Sequence, residues 1–244
     1  MGSSAKDRQS PNRAIDIPKQ KHARVAVPAT AKASPKGEKR APPTRGRALK
    51  TYEKLLKAAG ELLGEVGFEQ LTTNAICARA GVTPPALYNY FNDKYEILEA
   101  LAHRLLKRQN DAFFVWLFNG GAWANLEGRW TALEQWYRIS AEVTASEPGA
   151  VWTMRALRAL PHLAHVRLES QRMLTDQMFE FYRRVLPEAD PKFLWYRLRI
   201  GCEFGFMVDE LALEEGRIPH ETLFREAARL FGGPVRDEVY GKKI

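Results

Sequence analysis

Residues 72–94 read TTNAICARAGVTPPALYNYFNDK, and this stretch decides the fold of the chain. Thr72 is a good N-cap, and the apolar residues after it recur at helical spacing, which predicts a short helix. Ala80-Gly81-Val82 supplies a tight turn, because glycine adopts at little cost the positive φ that ends a helix. Thr83 and two prolines then begin a second helix, with Leu87 on its buried face. Two helices of about eight residues joined in this way predict a helix-turn-helix.

The exposed face of the second helix is aromatic and hydrogen-bonding but nearly uncharged. It holds Pro84, Pro85, Ala86, Tyr88, Asn89 and Tyr90. Such a face suits base edges and phosphates in a DNA major groove better than salt bridges to another protein. The same spacing also fits a helical hairpin inside an all-α core that never meets DNA. The motif alone leaves both interpretations open.

The composition is that of a globular protein with a basic tail. The 244 residues are 45% hydrophobic and 27% charged. The chain has no apolar run of membrane-spanning length, and its start lacks the apolar core of a signal peptide, so we expect no secretion. Residues 1–50 carry 13 Lys/Arg and 3 Asp/Glu, a net charge of +10. The remaining residues carry 24 (37 − 13) and 26 (29 − 3), a net charge of −2, so the body is nearly neutral. Two distant cysteines, Cys77 and Cys202, fit a reducing compartment.

Residues 1–44 hold six of the fourteen prolines and no Phe, Trp or Tyr, which predicts a disordered tail. The tail is either a solvated segment without a specific role or a basic arm that adds DNA affinity through counterion release. Arg45 and Arg47 lie next to the helical body. They are therefore the cations best placed to reach a phosphate or a minor groove.

A longer stretch, residues 58–101, closely resembles the N-terminal DNA-binding domain of TetR-family transcriptional regulators. It reads AAGELLGEVGFEQLTTNAICARAGVTPPALYNYFNDKYEILEAL. Three features carry the match: the Gly-Phe pair before the Thr-capped helix, the A-G-V-T turn, and the A-L-Y-x-Y-F…D-K run that leads into the next helix. The match covers about residues 45–105 and implies an all-α, TetR-like fold.

Composition and the resemblance together predict three parts of the chain. Residues 1–44 would be the basic tail, and residues 45–109 would form a three-helix DNA-binding domain with the helix-turn-helix. Residues 110–244 would form a larger helical domain that binds a ligand and dimerises. The residues themselves predict a helix before the motif, from about Ala48 to Val66. After the motif they predict a helix capped by Asp93, with Glu96 completing a capping box, and then five more helices. The five are Trp130–Ser146, Val151–Leu160, Pro161–Val185, Phe193–Glu214 and Glu221–Phe231.

Carried over residue by residue, the resemblance assigns DNA contacts to the motif and its flanks. The implied contacts are Arg45, Arg47, Thr72, Thr73, Thr83, Pro84, Ala86, Tyr88, Asn89, Tyr90 and Lys94. Thr72, Thr73 and Lys94 would bind phosphate, and Tyr90 would lie near the DNA backbone. The other positions of the second helix would face the major groove. Asn89 is the best candidate for a base contact, because an amide pairs bidentately with adenine.

Pro84-Pro85 departs from the family's pattern, in which small or polar residues are more common. The two prolines remove two backbone donors from the start of the helix. If Thr83 is the cap, its hydroxyl can accept only from the amide of Ala86. Since a residue before proline avoids the α region, we expect this helix to begin one residue late.

A row of small and medium side chains on the helix predicted at Phe193–Glu214 marks a close helix contact. The row is Leu198, Gly201, Gly205, Val208 and Ala212. It packs either within the same subunit or against a second copy. The resemblance favours a homodimer, and a two-fold dimer is what reads two half-sites of a palindrome.

All six tryptophans lie outside the DNA-binding region. As a group they suggest an aromatic-walled cavity for a small ligand. For any single tryptophan, packing in the core is the better explanation. The candidate ligand-binding residues are Trp116, Trp130, Trp152, Arg155, His162, Gln171, Glu203 and Phe206, with Asp209 as a further polar group. His162 and His165 lack further ligands at metal-binding spacing, and no catalytic or phosphate-binding motif is present. The sequence therefore predicts neither an enzyme nor a cofactor nor a metal site.

Together these features predict a ligand-responsive transcriptional regulator. It would be a homodimeric repressor that leaves a palindromic operator on double-stranded DNA when an unknown small apolar or aromatic effector binds. A bacterial, cytoplasmic, nucleoid-associated location follows from the resemblance. The alternative is a DNA-binding adaptor whose C-terminal domain binds a protein partner; it predicts a filled core with no cavity. An α-helical enzyme with a vestigial DNA module is disfavoured by the missing catalytic residues.

Overall fold

The computed structural model describes residues 42–121 and 129–232, which form nine α-helices and no strand. The helices are α1 (Gly46–Gln70), α2 (Thr73–Ala80), α3 (Pro84–Tyr88), α4 (Lys94–Trp116), α5 (Arg129–Ala145), α6 (Ala150–Ala159), α7 (Pro161–Val185), α8 (Pro191–Glu214) and α9 (His220–Phe231). A π-helical turn, Leu117–Gly121, follows α4. The predicted all-α fold is confirmed, and α5 to α9 begin and end close to the predicted positions. The tail at residues 1–41 lies outside the described residues.

The helix-turn-helix forms for the reasons that the sequence suggests. The Thr72 hydroxyl oxygen accepts a hydrogen bond from the amide of Ala75 at 3.2 Å and caps α2. Gly81 ends α2 in the left-handed conformation, with φ 64° and ψ 39°. Ile76 and Cys77 are buried beneath the motif. The small Cys77 side chain therefore lets α2 approach its neighbours closely.

The second helix of the motif differs from the prediction in its length. It begins at Pro84, directly after Thr83, so the expected late start is wrong. Thr83 takes the extended conformation that a residue before proline prefers, and its carbonyl, not its hydroxyl, accepts from the amide of Ala86 at 2.9 Å. The helix then ends at Tyr88, since the amide of Tyr90 turns back to the carbonyl of Leu87 at 2.8 Å.

The start of α4 is fixed by two carboxylates. Asp93 Oδ1 accepts from the amides of Tyr95 and Glu96 at 2.9 Å and 3.0 Å, as expected of the cap. Glu96 Oε2 accepts from the amide of Asn92 at 2.8 Å, one residue earlier than a standard capping box. With 23 residues, α4 is about 35 Å long. It therefore runs from the helix-turn-helix deep into the rest of the molecule.

The helix-turn-helix shares its core with later helices. Leu55, Ile76 and Leu87 are fully buried in a cluster that also holds Leu157 and Leu163 of α6 and α7. Two further clusters join α4, α5, α7, α8 and α9, and aromatic rings dominate one of them. The motif thus rests on the same packed interior as the helical body.

The segment between α5 and α6 docks the body onto α1 and α4. A Cβ atom on Gly60 would lie 2.5 Å from the carbonyl oxygen of Pro148, and one on Gly149 would lie 2.6 Å from that of Gly60. Only glycine permits so close a backbone approach, and Gly149 also has a φ of 74°. Beside it, the buried Glu147 carboxylate forms ion pairs with Arg104, at 3.0 Å, and with Arg108 of α4.

Candidate DNA-binding surface and ligand cavity

The face of α3 combines a buried anchor with an exposed polar rim. Leu87 is fully buried, whereas Pro84 and Asn89 are exposed and Tyr88 is 48% exposed. The hydroxyl of Tyr88 lies 3.3 Å from that of Thr73, so the two side chains tie α3 to the start of α2. This arrangement holds aromatic and hydrogen-bonding groups at the surface in a fixed orientation.

Other residues of the expected DNA contact set are placed as follows. Thr83 is exposed, and Ala86 is half-buried. Thr72 is exposed, and its hydroxyl oxygen already accepts the capping bond, which leaves its proton to donate. Tyr90 is half-buried, with its ring 6.0 Å from that of Tyr52 in an edge arrangement. Tyr90 therefore offers less surface to a ligand than Tyr88 does.

Lys94, the first residue of α4, points back toward the end of α1. Its ammonium donates to the carbonyls of Phe68 and Glu69 at 3.0 Å and 3.3 Å, and it lies 4.5 Å from the centre of the Phe68 ring. These contacts tie the two helices together. A phosphate contact by Lys94 thus requires the ammonium to share or exchange these carbonyl bonds.

The start of α1 supplies exposed cations beside the motif. Arg45 is the N-cap residue of α1, and Arg45, Arg47 and Lys50 are exposed. The first turn of α1 holds no acidic residue. Their positive charge is therefore not offset within that turn.

The row expected to form the dimer interface packs in part against helices of the same chain. Leu198 and Val208 are buried, and Ala212 packs in the cluster with α5 and α9. A Cβ atom on Gly201 would lie 2.6 Å from the Phe231 ring of α9, and one on Gly205 would lie 3.9 Å from Tyr137 of α5. Within the chain, α5 and α9 pack against much of this row, while Gly201, Gly205 and Ala212 stay half-buried, and contact of this face with a second copy stays a prediction.

The opposite face of α8 is exposed and apolar. Its exposed side chains are Phe193, Tyr196, Ile200 and Met207, at 49%, 46%, 61% and 38%. They recur at intervals of three, four and seven residues and therefore share one stripe of the helix. We call these four residues the α8 stripe.

A cavity of about 90 Å³ lies between α4, α5, α7, α8 and α9. Its walls are mostly apolar and include seven aromatic rings. These rings belong to Phe113, Trp116, Trp136, Tyr137, Tyr182, Phe206 and Phe231. The expected aromatic-walled cavity is therefore present, within the part of the chain that the structure describes.

Some of the expected ligand-binding residues line this cavity and others do not. Trp116, Gln171, Phe206 and Asp209 are on its walls. The side chain of Trp130 lies outside the described part of the structure. Trp152, Arg155, His162 and Glu203 do not line this cavity, and a ligand contact by them stays a prediction.

Each of these four residues is engaged elsewhere. Trp152 packs over Gly67, and the guanidinium of Arg155 lies over the Trp152 ring and donates to Glu214 at 2.7 Å. His162 is exposed, with its ring edge-on to Tyr95. Glu203 accepts from Arg158 and Arg167 at 3.0 Å and 2.7 Å. These side chains lie on the faces of α6, α7 and α8 that point away from the cavity.

A buried polar cluster on the cavity wall connects three helices. Asp209 Oδ2 of α8 accepts from the hydroxyl of Ser140 at 2.7 Å and from the amide of Gln109 at 3.0 Å. Gln109 of α4 also donates to the hydroxyl of Thr144 at 2.8 Å. Burial raises the pKa of Asp209 from 3.8 to about 7, although the two hydroxyl donors lower it. Gln109, Ser140 and Thr144 were not predicted, since isolated polar residues on apolar helices form no motif.

Several buried polar atoms of cavity-lining residues have no hydrogen-bond partner among the residues that the structure describes. They include Trp116 Nε1, Gln171 Nε2 and Asp209 Oδ1. A buried polar group without a partner costs about 1–3 kcal/mol. The cavity wall therefore carries donors and an acceptor that a bound molecule can satisfy.

An open cleft between α4 and α7 adjoins the cavity. Leu106, Asn110 and Ser170 line both spaces. Asn110 Nδ2 donates to Ser170 Oγ at 2.9 Å, and this bond bridges α4 and α7 between the cleft and the cavity. Separation of α4 and α7 at this bond would connect the cleft with the cavity.

The described ranges contain no group of three or more His, Cys, Asp or Glu side chains arranged to hold a metal ion. No helix in these ranges is long and apolar enough to cross a membrane. Cys77 is a buried free thiol and Cys202 a half-buried one.

Known proteins match this chain mainly over the helix-turn-helix region. Residues 55–101 match the family model described as bacterial regulatory proteins, tetR family. The class C tetracycline repressor of Escherichia coli is 46% identical over 54 residues, which cover 22% of this chain and 25% of the repressor. The class D repressor of the same species is 39% identical over 59 residues, 24% of this chain and 27% of the repressor. The matched stretch thus spans about a quarter of these relatives' length.

Solved structures resemble a larger part of the chain. The fatty acid degradation regulator FadR of Bacillus halodurans superposes with a TM-score of 0.59 at 17% identity, covering 80% of this chain and 99% of FadR. A TetR-family transcriptional regulator of Streptomyces coelicolor gives 0.53 at 22% identity, covering 74% of this chain and 95% of that protein. At these identities the likeness concerns the fold. It extends the similarity from the motif to the helical body.

Proposed function

We propose that this chain, which carries a TetR-family helix-turn-helix domain, is a transcriptional repressor whose affinity for DNA depends on a small molecule. The observation that carries the proposal is the course of α4. It starts at the helix-turn-helix with Lys94, and its last three turns supply five cavity residues: Leu106, Gln109, Asn110, Phe113 and Trp116. A movement of this helix would therefore involve both the motif and the cavity wall.

On DNA, α3 would lie in the major groove with Tyr88 and Asn89 toward the base edges. Thr72 and Thr73 at the start of α2 would donate to phosphates. Arg45 and Arg47 would follow the backbone or a neighbouring minor groove. These side chains lie at the exposed rim of the motif or at its flank, which supports the assignment.

The protein would bind as a two-fold homodimer, because one helix-turn-helix reads only a few base pairs. The α8 stripe is the proposed contact between copies, since the described residues leave it uncovered. Ile200→Glu should then yield monomers in sedimentation velocity, whereas Val115→Glu on α4, at a residue 62% exposed, should not. Dimers that persist in Ile200→Glu would refute this interface.

The division of labour along the chain follows from the same argument. Residues 45–109 would read DNA and residues 110–244 would bind the effector and dimerise. The basic tail at residues 1–44 would add affinity through counterion release. Deletion of the tail should then make the dependence of DNA affinity on salt concentration shallower.

Release from DNA would be a population shift. A cavity of about 90 Å³ is smaller than the ~150 Å³ cavity that holds benzene in an engineered protein. An effector with a ring must therefore push the walls apart. The Asn110–Ser170 bond between α4 and α7 is the place where this separation would open the cavity, and movement of α4 would reorient the motif. The adaptor alternative requires a filled core, which the cavity disfavours.

One experiment tests the proposal as a whole. The purified full-length protein is used to select fragments from a random duplex DNA library, first alone and then with a panel of small apolar and aromatic compounds. We expect enrichment of an inverted repeat and loss of that enrichment with at least one compound. An absence of any enriched site would overturn the proposed regulator, and a site that no cavity-binding compound affects would overturn its ligand control.

A further inference from the structure

We infer that the molecule received by the cavity is a compact amine, whose protonated nitrogen binds Asp209 while its apolar or aromatic body fills the space between the rings. The inference rests on the proposed function only in taking the cavity as the effector site. It adds a charge and a binding residue to an effector that the sequence describes only as apolar or aromatic.

The two carboxylate oxygens of Asp209 differ in their hydrogen bonds. Oδ2 accepts from Ser140 Oγ at 2.7 Å, from Gln109 Nε2 at 3.0 Å and, weakly, from Thr144 Oγ1 at 3.5 Å. Oδ1 is buried and has no partner among the described residues. The residue as a whole is 3% exposed and lines the cavity. One side of the carboxylate is thus held in place, and the other side lacks a donor.

Neither protonation state of Asp209 is satisfied by these neighbours. As a carboxylate it is buried with donors that are all neutral, and an isolated buried charge is costly. As an acid with its proton on Oδ1, it has no acceptor for that proton among the described residues. Burial accordingly raises its pKa to about 7, where both forms coexist near neutral pH. A protonated amine supplies both the missing hydrogen bond and the missing positive charge.

The surroundings suit the rest of such a molecule. Tyr137 and Phe206 line the same cavity as Asp209, and aromatic faces attract cations in a desolvated site. Arg197 is the cavity's own cation, but its guanidinium donates to the carbonyl of Phe231 and lies 4.4 Å from the centre of that ring. A ligand carboxylate in this cavity would also meet the Asp209 carboxylate.

The same residue connects the ligand to α4. Gln109 donates to Asp209, so an ammonium that takes up Oδ1 changes the charge that Gln109 contacts. Gln109 lies four turns along α4 from Lys94. An amine would therefore act on the helix that leads to the DNA-binding motif, in addition to widening the cavity.

The test compares matched ligands of two sizes by calorimetry with the full-length protein. The probes are isobutylamine, isobutanol and isobutyrate, and benzylamine, benzyl alcohol and benzoate. At pH 7.5 we expect at least one amine to bind about tenfold or more tightly than its alcohol and its acid. The preference should vanish in Asp209→Asn and persist in Asp176→Asn, which changes an exposed aspartate of α7 outside the cavity lining.

A pH series gives a readout that a purely structural role of Asp209 would not move. Below pH 7 a bound amine must displace the proton of the carboxyl, so amine affinity should fall by up to about tenfold per pH unit. Alcohol affinity should stay constant.

Equal binding of amine and alcohol, preference for the acid, or no binding by either amine would overturn the inference. These results are distinguishable from failure of the proposed function. If an amine binds as expected but leaves DNA affinity unchanged, the amine site stands and ligand control of DNA binding fails. If a neutral or acidic compound releases DNA instead, the function stands and the amine inference fails.

Discussion

The two ends of α4 are built on different principles. Near its start, the helix-turn-helix packs on an apolar core in which Leu55, Ile76 and Leu87 are fully buried, and the N-termini of α2 and α4 are capped. Near its end, the same helix borders a cavity and a buried carboxyl with one oxygen left without a partner. The first end is complete without a ligand, whereas the second holds polar groups that the chain itself leaves unsatisfied.

This difference indicates where each task is performed. A surface that reads DNA must be held rigid, because misplaced donors lose specific contacts. A site that responds to a small molecule must instead have a state that the molecule improves. The end of α4 at the helix-turn-helix is therefore suited to recognition, and the end at the cavity to regulation.

The largest effect on stability in this comparison should come from removing a buried side chain beneath the helix-turn-helix. Leu87→Ala should lower the free energy of unfolding by about 2–5 kcal/mol, because a packed core relaxes only partly around a lost side chain. Leu230→Ala, at a residue 78% exposed, is the control and should change it by less than about 0.5 kcal/mol. Urea denaturation measures both. A loss below about 1 kcal/mol for Leu87→Ala would mean that the motif is loosely packed.

Substitution of Asp209 at the cavity end should instead raise the free energy of unfolding, relative to the wild type, as pH increases. Since burial raises the pKa of Asp209 from 3.8 to about 7, the folded state keeps this proton longer than the unfolded state, and the wild type loses stability as pH rises from about 4 to 7. Asp209→Asn removes that loss. Relative to the wild type it should gain up to about 4 kcal/mol between pH 4 and pH 8.

Chemical denaturation at pH 4, 6 and 8 measures this gain. Any cost of the new amide is independent of pH and cancels in the comparison between pH values. A difference between variant and wild type that stays constant across the three values would show that Asp209 is not a strained buried acid.

The docking of the two regions can be tested by two substitutions one turn apart on α1. A Cβ atom on Gly60 would lie 2.5 Å from the carbonyl oxygen of Pro148, whereas one on Gly64 would find only ordinary contacts at 3.8 Å. Gly60→Ala should therefore cost about 1–3 kcal/mol, since a backbone carbonyl must move. Gly64→Ala should gain up to about 1 kcal/mol, because alanine favours the helix. Thermal unfolding distinguishes the signs, and two gains would mean that α1 is not closely docked on the segment between α5 and α6.

Local chemistry explains why so much of the fold could be predicted from the sequence. Thr72, Gly81 and Asp93 mark the helix ends through short-range hydrogen bonds and a positive φ, and Pro161 opens α7 at the expected residue. The helix at α3 is predicted but its early end is not, because only the turn from Tyr90 to Leu87 ends it. Such a turn is set by the packing of the two residues and carries no signal of its own.

The candidate sites were harder to predict, because periodicity shows that a face is buried but not what buries it. The row around Gly201 fits packing within the subunit or against a second copy, and the sequence does not reveal that Phe231 of the same chain lies against it. Arg155 and Glu203 were assigned to the cavity, whereas they form ion pairs on outward faces. Asp209 was recognised as a polar candidate, but its partners Gln109 and Ser140 come from helices whose relative rotation the sequence does not reveal.

The central claim is that α3 reads DNA sequence and that the start of α4 only anchors the protein to the backbone. Its most direct test is the ratio of dissociation constants for the selected inverted repeat and for scrambled DNA, measured for Asn89→Ala and Lys94→Ala. Asn89→Ala should lower this preference by about 5- to 150-fold, the equivalent of 1–3 kcal/mol for one base contact. Lys94→Ala should weaken both dissociation constants about equally and leave the ratio unchanged. An unchanged ratio in Asn89→Ala, or a collapse of the ratio in Lys94→Ala alone, would contradict the account.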